Sequence, residues 1–207
     1  MNFSDLMRSG RLYACRDMTP DVRESYDRTQ DLIYEYNLCR AREWDKRCAI
    51  LKEMIPDLGE GACIEPPFYL THGSRLHVGK HFYANWGATI VNDIDVYIGD
   101  NVMFATNVSI AVTGHPVHHE LRPRCNQFSF PVRIGNNVWV GTNVVILPGV
   151  TIGDNAVIGA GSVVTKDIPA NTVAAGVPCK VLREITDRDK EYYYHDLRVT
   201  EEELARL

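Results

Sequence analysis

From Ile134 the chain reads IGNNVW, VGTNVV, ILPGVT, IGDNAV, IGAGSV and VTKDIP, and every block opens on an aliphatic residue. Blocks of the same length recur upstream, from Ile98 (IGDNVM, FATNVS, IAVTGH) and from Val78 (VGKHFY, ANWGAT, IVNDID). Such a repeat constrains the fold strongly, because each unit must bury its apolar side against its own neighbours. Three six-residue sides make a coil of 18 residues, a triangular prism of short parallel strands. The opening aliphatic residues point inward and stack from coil to coil. Gly and Asn are expected at the corners, where φ turns positive. The Ile/Val-Gly pairs open at 78, 98, 134 and 152, with gaps of 20, 36 and 18 residues. The middle gap holds two coils' worth of chain. The pattern lapses after Ile110, so residues 115–132 are expected to leave the prism as a loop, and long loops in compact repeats usually carry function.

Charge divides the chain in the same way. Residues 1–60 carry 22 charged side chains and residues 171–207 carry 14, whereas the 110 residues between them carry only 13. The expected organisation is a helical head over 1–58, a β-helix over 59–178 and a tail with short helices over 179–207. In the head, Thr19-Pro20 reads as an N-cap with proline in the first turn. Val22, Tyr26, Thr29, Ile33 and Tyr36 then fall at helical spacing, as do Trp44, Cys48, Leu51 and Ile55, with Pro56 and Gly59 closing the second run. Thr186 and Thr200 are candidate caps in the tail, the latter with Glu203 as a capping box. The net charge of −5 argues against a nucleic-acid partner. No apolar run reaches the length of a membrane span, and no signal-peptide core is visible. Six cysteines without a Cys-x-x-Cys pair suit reduced thiols in a cytoplasmic protein.

The segments TGHPVHHELR, HFYANWGATIVND, IGNNVWVGTNVVILPGVTIGDN and IGAGSVVTKDIPANTVAAGVPCKV together resemble the bacterial sugar O-acetyltransferases of the hexapeptide-repeat superfamily, nearest to their galactoside branch and next to the maltose branch. MRSGRLYACRD and LIYEYN resemble the helical segment that precedes the repeat in that family, so the likeness runs along nearly the whole chain. The resemblance implies a left-handed parallel β-helix, a homotrimer with active sites between subunits, and acetyl transfer from acetyl-CoA to a sugar hydroxyl, the 6-OH of a galactoside being the first expectation. Maltose, glucose, an oligosaccharide or an antibiotic are the other acceptors considered, and a non-enzymatic or metal-dependent prism protein is the reading from outside the acyltransferases.

A sugar hydroxyl attacks a thioester only if a base removes its proton during bond formation, and histidine suits that task near neutral pH. His115, in the TGHPVHHEL context, is the candidate base. His118, His119 and Glu120 share its loop, an arrangement unlike a metal site built from regular coils, and no metal is expected. For the acceptor the resemblance points to Asn85 and Asp93, whose side chains also suit corner turns, to Tyr83 as a wall, to Thr71 where the family often has Ser, and to Asp17. GRLYACRD is two residues longer than the galactoside pattern, which displaces Asp17 from its expected place. For the donor it points to Thr142, Ala160, Thr165, Lys166, Lys180 and Arg183. A backbone N–H at Thr142 is placed for an oxyanion, and the three basic residues offer charge to the phosphates of CoA. Lys180 stands where the family often has Arg, which exchanges a two-pronged contact for a point charge.

Overall fold

The computed structural model describes residues 2–206, and its body is a parallel β-solenoid with three faces. The first face stacks Asp57–Leu58, Leu76–Val78, Val96–Ile98, Val132–Ile134 and Thr151–Ile152. The second runs from Cys63–Ile64 through Tyr83–Ala84, Met103–Phe104, Trp139–Val140 and Val157–Ile158 to Thr172–Ala175. The third stacks Tyr69–Leu70, Thr89–Val91, Ser109–Ala111, Val145–Ile146 and Val163–Val164. The hexad register is the strand register. Val78 pairs with Ile98, Ile98 with Ile134, and Ile134 with Ile152. The 36-residue gap is therefore one coil plus an excursion, since Ile98 and Ile134 are direct neighbours. Inward columns such as Leu70, Ile90, Ile110, Ile146 and Val164 are 4% exposed or less, which makes one continuous core.

The corners correct part of the sequence reading. Asn101, Asn137, Asn155 and Asn171 do take positive φ between the first and second faces, and their side-chain amides bond coil to coil at 2.8–3.1 Å. The signature glycines Gly79, Gly99, Gly135 and Gly153 do not take positive φ. They are needed for thinness. A Cβ on Gly79 would lie 2.5 Å from the carbonyl carbon of Gly99, and one on Gly99 would lie 2.8 Å from that of Gly135. Successive coils touch backbone to backbone along this corner.

The head has three helices, α1 (Phe3–Arg8), α2 (Pro20–Leu38) and α3 (Trp44–Met54). Thr19 is the N-cap of α2, although its side chain makes no capping hydrogen bond. The α2 stripe buries Val22, Thr29, Ile33 and Tyr36 as expected, with Tyr26 half-buried. The expected α3 stripe holds only in its second half, where Leu51 and Ile55 are buried. Arg47, Ile50, Leu51 and Met54 face inward, whereas Trp44 is 49% exposed and Cys48 lies outside. The cause is Arg47, whose guanidinium donates to Glu65 at 2.7 Å and to the Ile64 carbonyl at 3.2 Å on the first coil. Gln30 donates to the Leu70 carbonyl, and Asn37 exchanges two bonds with Phe68, all at 2.9 Å. In the tail, Thr200 and Glu203 form the expected capping box on α5 (Glu201–Leu204). Thr186 is not a cap. The N-cap of α4 (Arg188–Glu191) is Asp187, and Thr186 instead donates to Asp189. Among the described residues, no helix is long and apolar enough to cross a membrane.

His72 sets an acid limit on the fold. It lies between α2 and the solenoid, 1% exposed, and the Asn92 side chain brackets its backbone N–H and carbonyl. Burial, helped by the charge of Arg75, pushes its pKa down to about 3. The unfolded chain takes up a proton below about 6.5 and the folded chain does not, so this contribution is complete above pH 6.5 and is lost as pH falls toward 3. The expected slope is roughly 1.4 kcal/mol per pH unit for this one proton. Urea midpoints measured from pH 7 to pH 4 should fall more steeply in the native protein than in His72→Gln.

Candidate active site

The excursion begins where the third face turns toward the first. Thr113–Gly114 pairs antiparallel with Phe128–Ser129, and the same returning strand (Asn126–Ser129) pairs on its other side with Tyr13–Ala14 from the head. The head thus supplies the outer strand of a three-stranded ribbon that carries the loop. Chain spacing could not reveal this pairing, because Tyr13 and Gln127 lie more than a hundred residues apart.

His115 follows the first strand of the ribbon. Its Nδ1 lies 2.8 Å from the Asn126 carbonyl oxygen. A carbonyl only accepts, so Nδ1 carries the proton and the lone pair of the neutral ring is on Nε2. Beneath the loop, Asp93 Oδ2 accepts from Thr113 Oγ1 at 2.9 Å and from Gln127 Nε2 at 2.8 Å. The same Gln127 nitrogen donates to the Tyr13 hydroxyl at 2.8 Å. Because Thr113 spends its proton on Asp93, Ser129 must donate to Thr113 (2.9 Å) and Tyr13 to Ser129 (2.6 Å). All the hydroxyls point their protons toward one carboxylate. Burial pushes the Tyr13 phenol up, which keeps it a donor. Arg75, itself buried, donates to the Asp93 backbone carbonyl. Sequence reasoning named Asp93 and His115, and the structure adds Tyr13, Thr113, Gln127 and Ser129 around Asp93. NQFS carries no apolar alternation, since its buried members Gln127 and Ser129 are polar, so periodicity gives no sign of the strand.

The other candidates divide between two edges. Thr71, half-buried, stands on the Asp93 corner, one coil earlier, with its N–H shared by Ile90 and Asn92. Asn85, Thr142 and Ala160 lie on the opposite edge of the third face, where it meets the second. Asn85 Oδ1 accepts the Trp86 N–H at 2.7 Å, which is the corner-turning role. Thr142 and Ala160 occupy the same corner on successive coils, where Gly161 N–H donates to the Thr142 carbonyl. Among the described residues, the Thr142 N–H donates to no backbone carbonyl. Thr165 and Lys166 follow the last strand of the third face, both exposed, and Lys180 pairs opposite Ala175 at the top of the solenoid. Arg183 is already held. Its Nη1 and Nη2 bond the two oxygens of Asp189 at 2.8 and 2.7 Å, and that carboxyl titrates well below the usual range. Asp17 forms an ion pair with Arg124 at the tip of the excursion. Cys15, two residues earlier, and Tyr13 both feel the charge of Asp93.

His118 and His119 stack ring on ring at 5.0 Å, and both lie exposed. No group of three or more His, Cys, Asp or Glu side chains is arranged to hold a metal among the described residues. The outward positions of the second face line up Tyr83, Met103 and Trp139 in register, 37%, 52% and 50% exposed. A groove of about 150 Å³ between α2 and the third face is lined by Tyr26, Gln30, Tyr69, Thr71 and Val91, and a larger one of about 340 Å³ lies between α2 and α3. Neither is lined by His115, Asp93 or Thr142.

Residues 131–166 match the bacterial transferase hexapeptide family (six repeats), and residues 6–59 match the maltose acetyltransferase hexapeptide capping motif. A galactoside O-acetyltransferase of Escherichia coli K12 is 55% identical over 96% of this chain and 97% of its own. The fold superposes on a galactoside acetyltransferase solved in complex with coenzyme A (TM-score 0.93, 55% identity, 97% of this chain and 99% of that one). It also superposes on a maltose O-acetyltransferase from Clostridium difficile 630 (TM-score 0.86, 40% identity, 90% and 98%). With its hexapeptide solenoid, its capping head and this near full-length identity, the chain belongs to the galactoside O-acetyltransferase family of hexapeptide-repeat acyltransferases.

Proposed function

We propose that this chain moves an acetyl group from acetyl-CoA to the 6-hydroxyl of a galactoside, with His115 as the general base. The observation that carries the reading is the bond from His115 Nδ1 to the Asn126 carbonyl, which leaves Nε2 free to accept a proton. In the proposed step Nε2 takes the hydroxyl proton as the oxygen adds to the thioester carbonyl. The tetrahedral oxyanion is held by the Thr142 N–H. Its collapse breaks the C–S bond, and the imidazolium returns the proton to the CoA sulfur. Asp93 uses Oδ2 within the ribbon, so its Oδ1 is the atom offered to acceptor hydroxyls. Asn85, Thr71, Tyr83 and Asp17 complete the proposed acceptor set. Ala160 leaves room for the pantetheine arm, and Thr165, Lys166, Lys180 and Arg183 are proposed on the donor side. Arg183 meets a phosphate only by sharing its fork with Asp189.

The division between edges supports a site built by two copies. Some six residues of extended chain, roughly 20 Å, separate the Thr142–Ala160 corner from the Asp93–His115 corner of the same prism. A neighbouring prism set against this one brings the His115 corner of one copy to the Thr142 corner of the other. The Tyr83–Met103–Trp139 column offers apolar area for that contact. The proposed assembly is a closed homotrimer, and its proposed place is the cytoplasm, where acetyl-CoA is available.

An acceptor panel with acetyl-CoA and thiol detection tests the reading. Galactosides and thiogalactosides should give the highest kcat/KM, ahead of galactose, maltose, glucose and a streptogramin, and a preference for maltose would overturn the galactoside assignment. EDTA should leave the rate unchanged, because the loop histidines stack on each other instead of converging on a point. Loss of activity that zinc restores would refute this.

A further inference from the structure

Two cysteines that the proposed reaction does not use meet at the join between head and excursion. The ribbon register pairs Tyr13 with Gln127 and Ala14 with Asn126. One step beyond the last pair both segments leave the ladder, into the 3-10 turns Cys15–Asp17 and Pro123–Cys125, which pack on each other and bring Cys15 and Cys125 to the same join. A disulfide spans Cα separations of roughly 4.4–6.8 Å, a range open to residues that flank the paired Ala14 and Asn126. The ion pair of Asp17 with Arg124 pins the same two segments together. Both thiols are free, Cys125 exposed and Cys15 half-buried. Arg124 and Cys125 hold φ values of 61° and 58°, a conformation uncommon for residues with side chains. The residue after Cys125 is Asn126, whose carbonyl fixes the His115 ring.

We propose that Cys15 and Cys125 form a reversible redox site that acts on the acceptor loop. A small-molecule disulfide such as oxidised glutathione is the oxidant. The exposed Cys125 thiolate attacks one glutathione sulfur, breaks its S–S bond and expels one glutathione thiolate. Cys15 then attacks the Cys125 sulfur and expels the second. Burial and the neighbouring Cys125 and Asp93 raise the Cys15 pKa, which suits a resolving thiol more than a first nucleophile. The two protein protons end on two glutathione thiols, and the protein gains one S–S bond. A disulfide holds its sulfurs about 2 Å apart, closer than two unbonded thiols come, so closing it shifts Cys125 by on the order of an ångström and carries Asn126 along. A displacement of that size at a catalytic group costs on the order of 10²-fold in rate, so the oxidised form is the inactive one.

Oxidised glutathione, tryptic mapping and mass spectrometry test this on the intact protein. A cross-linked Cys15–Cys125 peptide should appear, dithiothreitol should remove it, and acetyl transfer should fall at least about tenfold and recover on reduction. Cys15→Ser and Cys125→Ser should each lose the cross-link and keep their rate in the oxidant. Cleavage of the folded protein after Arg124 should slow once the loop is stapled to the head, a readout that needs no turnover. The activity arm rests on the acetyl-transfer reading, whereas the cross-link and proteolysis arms do not. Separate glutathione adducts without a cross-link overturn the proposal. So does a cross-link that changes neither proteolysis nor rate, or equal inactivation of the serine variants.

Discussion

His115→Ala is expected to lower kcat by about 10²–10⁴-fold, the usual worth of a positioned general base. The imidazole ring makes one hydrogen bond, to Asn126, so its removal opens no core cavity and leaves Asp93, Thr113 and Gln127 bonded as before. The KM for acetyl-CoA should move little, since the proposed donor residues lie on later coils, with Thr142 and Ala160 on the other edge of the prism. His118→Ala and His119→Ala are the controls, being exposed neighbours with no proposed proton transfer. In the native protein kcat/KM should fall at acid pH, where the protonated ring can no longer accept a proton. The test is the three variants side by side at saturating acetyl-CoA. Near-normal turnover in His115→Ala, or an equal loss in a control, removes His115 from the role of base.

The second large effect is on stability. Gly99→Ala should cost about 3 kcal/mol, the upper end for overpacking, because the new methyl meets the Gly135 backbone at 2.8 Å and Asn136 Oδ1 at 2.6 Å. Backbone from the next coil cannot rotate away as a side chain does, so the coils must part. Gly161 is the contrast. It stands above Asn107 and Asn143 at the corner of the second and third faces, takes a φ of 72°, and has open space where a Cβ would lie. Gly161→Ala should cost only the backbone term, roughly 1 kcal/mol. Gly161→Asn should restore most of that, since Asn already holds the same conformation one and two coils below. Denaturant midpoints for the three variants decide the matter, and a Gly99→Ala protein as stable as Gly161→Asn would contradict the close-approach account.

The solenoid was legible because its pairing partner is always the next coil, so a local period states a tertiary contact. Val78, Ile98, Ile134 and Ile152 could be aligned by counting, and they are aligned in space. The glycine corner was only half legible. Sequence shows that Gly recurs there, but positive φ and close approach both select glycine, and only geometry separates them. In α3, Leu51 and Ile55 are buried as expected. The first half of its stripe was misread because periodicity weighs Trp44 and Cys48 as apolar and Arg47 as polar, whereas the backbone edge of the first coil rewards the guanidinium. The ribbon under His115 was out of reach. Its members come from residues 13, 93, 113, 127 and 129, and no period links them. The partner of Asp17 was out of reach in the same way, since Arg124 meets it from the tip of the excursion, more than a hundred residues along the chain.

A stack of parallel coils has two raw ends, and each would template another copy if left bare, since unpaired strand edges invite end-to-end growth. At the lower end Tyr36, Gln30, Asn37 and Arg47 bond the backbone of the first coil, standing in for a strand without being one. At the upper end Lys180–Glu184 turns back antiparallel on Thr172–Ala175, and Gly176 and Cys179 occupy the edge groups of Val163. A helix face and a reversed strand are both poor seeds for a further parallel coil. The charged head and tail flanking a sparsely charged body thus act as terminators, which keep a sequence built to propagate from growing into a fibre.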